Sequence, residues 1–317
     1  MTDKKKICLM LVATIILICL YLLTNLRMDS IDYLIPKRIL KILAILIVGY
    51  GISYSSVIFQ TLTCNRIVTP SIIGFDSLYL LIQGIVVYFL GVLQPSFIDP
   101  NLYFILTVLV MVVFSEVLYK ILFQSGVHHL YFILLAGVVC GILFRSVFSF
   151  LITIMDPMRY DIIQGKLYAS FSLIQYDLLG ITFICILFAT WYSRNLMNQL
   201  DVYLLGESNA KSLGIDTDQL QKKTMRAISI MIASSTVLVG PITFLGLFVV
   251  NIAYSFIKNY KHTYTIAGSV VIGWIVLLVG TIFVDRIFEF ETNLTVVING
   301  IGGVYFIYML IKRGTRV

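Results

Sequence analysis

Leu204-Leu205-Gly206-Glu207-Ser208-Asn209-Ala210-Lys211-Ser212-Leu213-Gly214-Ile215 is a polar, glycine-punctuated stretch between long apolar runs. The flanks decide the fold class. Of 317 residues, 59% are hydrophobic and only 12% charged, and the mean hydropathy is +0.98. Such a chain lacks the polar surface to cover a water-soluble globule. A charged segment in that setting is placed to meet something outside a bilayer.

A helix needs about 20 apolar residues to cross the hydrocarbon core, because backbone amides in lipid must bond within their own segment. Ten such runs are readable, near 7–25, 39–60, 73–93, 101–120, 130–153, 176–193, 225–240, 242–257, 266–284 and 294–311. The seventh and eighth meet at the Gly240-Pro241 break. Runs of 18 or more residues are too long for buried strands, and the period-two alternation of a transmembrane barrel is absent. The expectation is an all-α, polytopic membrane protein, a single domain over residues 1–317 with a cytoplasmic loop at about 201–224.

Lysine and arginine mark the cytoplasmic side. With the N-terminus inside, 15 of the 23 basic residues fall in cytoplasmic positions, among them Lys4, Lys5, Lys6, Arg66, Lys120, Arg194, Lys211, Lys222, Lys223, Arg226, Lys258 and Lys261. Both termini are therefore expected in the cytoplasm of a multi-pass cell-membrane protein. The net charge of +7 suits anionic lipid headgroups and gives no reason to expect nucleic-acid binding. The first run, after Lys4-Lys5-Lys6, has no small-x-small cleavage site and is expected to stay as a helix.

Catalytic and metal patterns are missing from the sequence. No GxxxxGK[ST] is present to cradle a nucleotide, and no HExxH to hold zinc. His128-His129 has no carboxylate at ligand spacing. Cys8, Cys19, Cys64, Cys140 and Cys185 are scattered, form neither a disulfide framework nor a metal pattern, and read as packing residues. Asn293-Leu294-Thr295 is a formal glycosylation sequon of no evident use. No catalytic residue, metal site or cofactor of this chain is expected. Glu116, four residues before Lys120, suggests a local helical ion pair.

Three segments occur in a recognisable order: LLGESNAKSLGI at 204–215, SSTVLVGPITFLGL at 234–247, and the early series Gln60, Asn65, Pro70, Gly74. Together they resemble the permease subunits of ABC importers for iron-siderophore complexes, haem and cobalamin, the FecCD/BtuC type, from about residue 36 to 312. That resemblance implies a type II importer permease fold of about ten helices, paired with a second copy or a paralogue. It further implies cytoplasmic ABC ATPase subunits that use ATP, an extracellular substrate-binding lipoprotein, and a ferric siderophore as cargo, with the catecholate type the first expectation.

Carried over by position, the resemblance places an ATPase-coupling pair of short helices at Gly206, Glu207, Ala210, Leu213 and Gly214, where a small residue such as Ala210 permits close approach. It places binding-protein docking at Arg38 and Lys41, although lysine replaces the family's second arginine and leucine its proline; snorkelling cations are the alternative. The inner gate falls at Asn65 and Ile67, with Arg66 where the family carries proline. Gln60 would face the pathway or bond to a neighbouring helix. Pro-His after the GLxx run becomes Val250-Asn251, the Glu-Leu-Pro element becomes Glu291-Thr292-Asn293, and the closing turn becomes Gly302-Gly303.

Arg145 lies inside an apolar run, where a cation is costly unless it faces water, protein or an acid. It either lines the outer half of a passage for an anionic chelate or pairs with Asp156 or Asp285. The runs carry no cage of ligands for a bare ion, and glycines such as Gly49, Gly51, Gly74, Gly137, Gly141, Gly268 and Gly273 suit close helix packing. An ion-gradient transporter would need mid-span acids, which are scarce here. Haem or cobalamin remains an alternative cargo.

Overall fold

A peptide group left open in hydrocarbon costs several kcal/mol, so each apolar run has one solution. The structure, a computed structural model, describes residues 2–24, 31–91, 99–124, 130–171, 174, 176–286 and 293–314. Arg27, His128-His129, Glu291-Thr292 and Arg316 lie outside them. Within them the chain is helical, with no strand. The helices are α1 (Asp3–Leu23), α2 (Ile31–Leu62), α3 (Phe75–Leu90), α4 (Pro100–Gln124), α5 (Leu130–Ile154), α6 (Pro157–Gln164), α7 (Tyr176–Arg194), α8 (Met197–Tyr203), α9 (Glu207–Ser212), α10 (Thr217–Val239), α11 (Leu245–Phe256), α12 (His262–Arg286) and α13 (Leu294–Gly314), with a 3-10 turn at Pro70–Ile73.

All ten apolar runs fall on helices, and among the described residues α1, α2, α4, α5, α7 and α12 are long and apolar enough to cross a membrane on their own. α3 and α11 are shorter apolar helices. α10 is long but polar, with Thr224, Ser229, Ser234 and Ser235 fully buried. Ser229 donates to Ser115 on α4 at 2.7 Å. Shielding by neighbours lets such a helix lie in the interior without an apolar surface; six helices are clear spans by length and composition, and the count of ten is neither reached nor overturned. The Gly240-Pro241 break does separate α10 from α11. Gly240 has φ +98°, and a Cβ there would sit 3.0 Å from the Tyr168 carbonyl.

α2 runs through the middle and is mostly buried, touching α7, α10, α11 and α12. Its neighbours come close because hydroxyls fit where side chains are missing. A Cβ on Gly273 would collide with Ser53 Oγ, one on Gly246 with Ser56 Oγ, and one on Gly51 would lie 2.7 Å from Ser235 Oγ. A second close approach seats the 3-10 turn on α5: a Cβ on Gly137 would be 2.8 Å from the Ile73 Cα. In a bilayer, where lipid is as apolar as leucine, such small-residue contacts supply the packing that holds helices together.

The two ends of the bundle carry different links. At one end, which holds the Lys4–Lys6 cluster, Lys6 donates to the Phe256 carbonyl at 2.6 Å, and Asp3 accepts from the Asn259 amide. Glu116 pairs bidentately with Arg226 on α10, at 2.6 and 3.0 Å, instead of the expected pair with Lys120. At the opposite end Lys41 binds Asp285 at 2.7 Å with both side chains largely covered, and the Tyr21 hydroxyl donates to the same carboxylate at 2.9 Å. α1, α2 and α12 are thereby joined through one acid.

Two outcomes follow. Gly273→Val should lower the unfolding midpoint of the detergent-purified chain, an overpacking cost of about 1–3 kcal/mol, while Gly300→Ala, with nothing near its missing Cβ, should not. Lys41→Met alone should destabilise by about 3–5 kcal/mol by stranding the Asp285 charge, and Lys41→Met with Asp285→Leu should recover most of that loss; thermal unfolding of the three proteins reads both effects.

Candidate functional site

The polar stretch folds as one short helix, α9, just after α8, for local reasons. Gly206 (φ +98°) and Gly214 (φ +85°) bracket α9 in backbone states that side-chain-bearing residues resist. The Ile215 amide donates to the Ala210 carbonyl and the Gly214 amide to that of Lys211, the paired bonds of a glycine helix stop. Glu207 in the first turn and Lys211 in the last complement the helix dipole and meet at 2.8 Å, which raises the Lys211 pKa above its ordinary value. Asp216 caps α10 by accepting from the Gln219 amide.

This unit is docked on the bundle. Gln221 of α10 donates to the Tyr203 hydroxyl at 2.9 Å, and burial pushes that phenol up to about 12. Ala210 is fully buried, so its small size serves packing against this chain and leaves the outer surface to other residues. Leu213, 64% exposed, and Leu205, 61% exposed, are the apolar side chains that face outward. Leu204 and Leu205 carried no role in the sequence reading, because exposure cannot be read from an isolated apolar pair.

The turn after α2 lies beside this unit. α8 packs against α2, and burial, then the Glu207 carboxylate, push the Cys64 thiol up. Cys64 has φ +46°. The Asn65 amide donates to the Gln60 carbonyl at 3.2 Å, and the Asn65 side chain accepts from the Ile67 amide at 2.9 Å. Asn65 is thus the turn's own brace, and Ile67 is half-buried behind it. Asn251 donates to the Arg66 carbonyl at 2.9 Å, while the Arg66 guanidinium sits 4.6 Å from the centre of the Tyr254 ring. Two departures from the family pattern, at 66 and 251, therefore meet in space. Where proline would stiffen the turn by fixing φ, a side-chain amide and a cation–π contact hold it from α11.

A buried relay ties the same region together. Asp201 of α8 accepts from the His262 amide at 2.8 Å and lies 2.5 Å from His262 Nδ1. His262 Nε2 is 2.8 Å from Thr61 Oγ1 on α2. The acid also suits the N-terminus of α12. Nothing in the sequence announced this relay, since 61 residues separate Asp201 from His262. Gln60 is buried, and its side-chain amide has no hydrogen-bond partner among the described residues.

Arg145 lies on the exposed side of α5, nine residues or about 14 Å before the helix end at Ile154. It makes no ion pair with a described residue. Asp285 is taken by Lys41, and Asp156 lies 3.5 Å from Arg159. Ser146, Ser149 and Thr153 continue an exposed polar stripe from Arg145 toward that end. Arg38 donates to the Leu22 and Thr24 carbonyls at 2.8 and 2.7 Å, so Arg38 closes the end of α1 while Lys41 is held inside. The five cysteines are free thiols, and only Cys140 and Cys185 are partly covered as packing residues would be. Among the described residues no group of three or more His, Cys, Asp or Glu could hold a metal ion.

Comparison with known proteins places this geometry. Residues 7–312 match the FecCD transport family. The chain is 44% identical over 313 residues to the petrobactin import system permease protein YclO of Bacillus subtilis (strain 168), covering 99% of each. It is 30% identical to the petrobactin import system permease protein FatC of Bacillus anthracis, over 88% of this chain and 79% of that one. Among solved structures, an ABC transporter chain described as metal-chelate type, in an inward-facing conformation, superposes with a TM-score of 0.81 at 20% identity, covering 98% of this chain and all of that one. The helical fold is thus shared with a solved ABC transporter chain, and the chain belongs to the FecCD transport family.

Proposed function

We propose that this chain is the cell-membrane permease subunit of an ATP-driven importer for a ferric siderophore, with both termini in the cytoplasm. The observation that carries this reading is Arg145. An arginine deep in an apolar helix is tolerated where it meets water or protein, and no described acid meets this one. A passage formed by α5 against a second permease, identical or paralogous, gives it water and an anionic chelate to attract. The full-length likeness to a petrobactin permease supports a siderophore as cargo, within the catecholate class expected from the sequence.

In this reading separate ABC ATPase subunits grip α9 from the cytoplasm, and ATP is bound there and not by this chain. Leu213 and Leu205 are the knobs offered to them, and Ala210, Tyr203 and the Asp201–His262–Thr61 relay make the handle stiff. Movement of α9 is felt at the turn of Asn65 and Ile67 because α8 packs against both α9 and α2. A substrate-binding lipoprotein docks outside near Arg38, with Lys41 anchoring the helices beneath it.

Arg145→Gln should cut uptake of iron-labelled petrobactin by roughly ten-fold, the loss expected when one charge-assisted contact goes, without lowering the unfolding midpoint. Unchanged uptake with a lowered midpoint would remove the passage from α5. Leu213→Asp should leave the chain folded, since that side chain is exposed, yet abolish cargo-stimulated ATP hydrolysis by the assembled complex; full stimulation would show that α9 is not the handle.

A further inference from the structure

We infer that a groove between α1, α2, α7 and α12 binds one anionic phospholipid. The groove encloses about 1050 Å3 and lies apart from α5, α9 and the turn at Asn65, so this inference stands independently of the importer mechanism. Its mouth, at the Lys4–Lys6 end, is formed by Arg194, Asn195, Asn198 and Thr263. Its shaft is aromatic and apolar, and both tryptophans of the chain, Trp191 and Trp274, line it.

Depth supports a lipid. From Thr263 to Trp274 is eleven residues along α12, about 16 Å at 1.5 Å per residue, and one leaflet of hydrocarbon is about 15 Å, half of a 30 Å core. The polar tips inside the groove are already bonded within the chain: Trp274 Nε1 donates to the Leu46 carbonyl at 2.8 Å, and the Tyr54 hydroxyl is 2.7 Å from Ser193 Oγ. What remains for an occupant is apolar wall, which suits an acyl chain and offers a peptide no partners for its amides. Trp191 is 69% exposed, as an aromatic wall open to lipid would be.

Charge selects the headgroup. Arg194 makes no ion pair or hydrogen bond with a described residue, and no lining residue is acidic. Lys4 falls on the α1 stripe of Ile7 and Leu11, one turn nearer the mouth. The nearby acids are engaged elsewhere, Asp3 with Lys6 and the Asn259 amide and Asp201 with His262. Two cations, three polar side chains and no competing carboxylate form a receptor for a phosphodiester carrying a net negative charge.

Native mass spectrometry of the full-length permease, purified in mild detergent and incubated with phosphatidylglycerol or phosphatidylcholine, tests this. One phosphatidylglycerol should be retained in preference to phosphatidylcholine. Arg194→Gln should weaken that retention about five-fold, as expected for one cation near one anionic headgroup, with phosphatidylcholine unaffected. Trp191→Ala should weaken retention of both, and Lys258→Gln, an exposed cation at the same end but outside the groove, should change neither. Equal retention of the two lipids, an Arg194→Gln protein that keeps its preference, or a dimer that Trp191→Ala dissolves would each overturn the inference.

Discussion

The bundle depends on how closely other helices approach α2. In water, burial of apolar surface would drive that approach, but lipid removes the advantage and leaves packing and hydrogen bonding. The serine hydroxyls of α2 and α10 lie where Gly51, Gly246 and Gly273 have no side chain. Backbones thus come near enough for extensive van der Waals contact, and α2 can be enclosed on several sides at once. With that enclosure, a helix as polar as α10 can be interior, and the turn at the end of α2 becomes a fixed point against which other elements are set.

Two chain segments far apart in sequence converge on that fixed point. α8 reaches it through Asp201 and His262, which meets Thr61 on α2, and α11 through Asn251 and Tyr254. The hydrogen-bonded links are short, and the one between His262 and Thr61 is buried. The relevant property is stiffness: glycines at both ends of α9 and the cap at Asp216 leave the α8–α9 unit few alternative conformations.

Departure from the family pattern is compensated locally. Arg66 stands where the family resemblance led one to expect proline, and Asn251 supplies a hydrogen bond to the carbonyl of that residue. Lys41 is held within the bundle by its setting. It points inward to the Asp285 carboxylate, which the Tyr21 hydroxyl also bonds.

Length and apolar composition alone determined that the chain is helical and embedded in a membrane, because hydrocarbon permits no other way to satisfy its backbone. The Gly240-Pro241 pair marked the break between the seventh and eighth runs, and resemblance to the transport family implied short helices around residues 206–214. Sequence order also pointed to Asn65, Ile67 and the transport family. Tertiary structure alone decided which side chains act together. Ala210 turned inward and Leu213 outward, Glu116 took Arg226 in preference to its helical neighbour Lys120, and Asp285 went to Lys41, leaving Arg145 without it. Those choices depend on helix rotation and on contacts 60 to 260 residues apart in the chain, and a one-dimensional pattern carries neither.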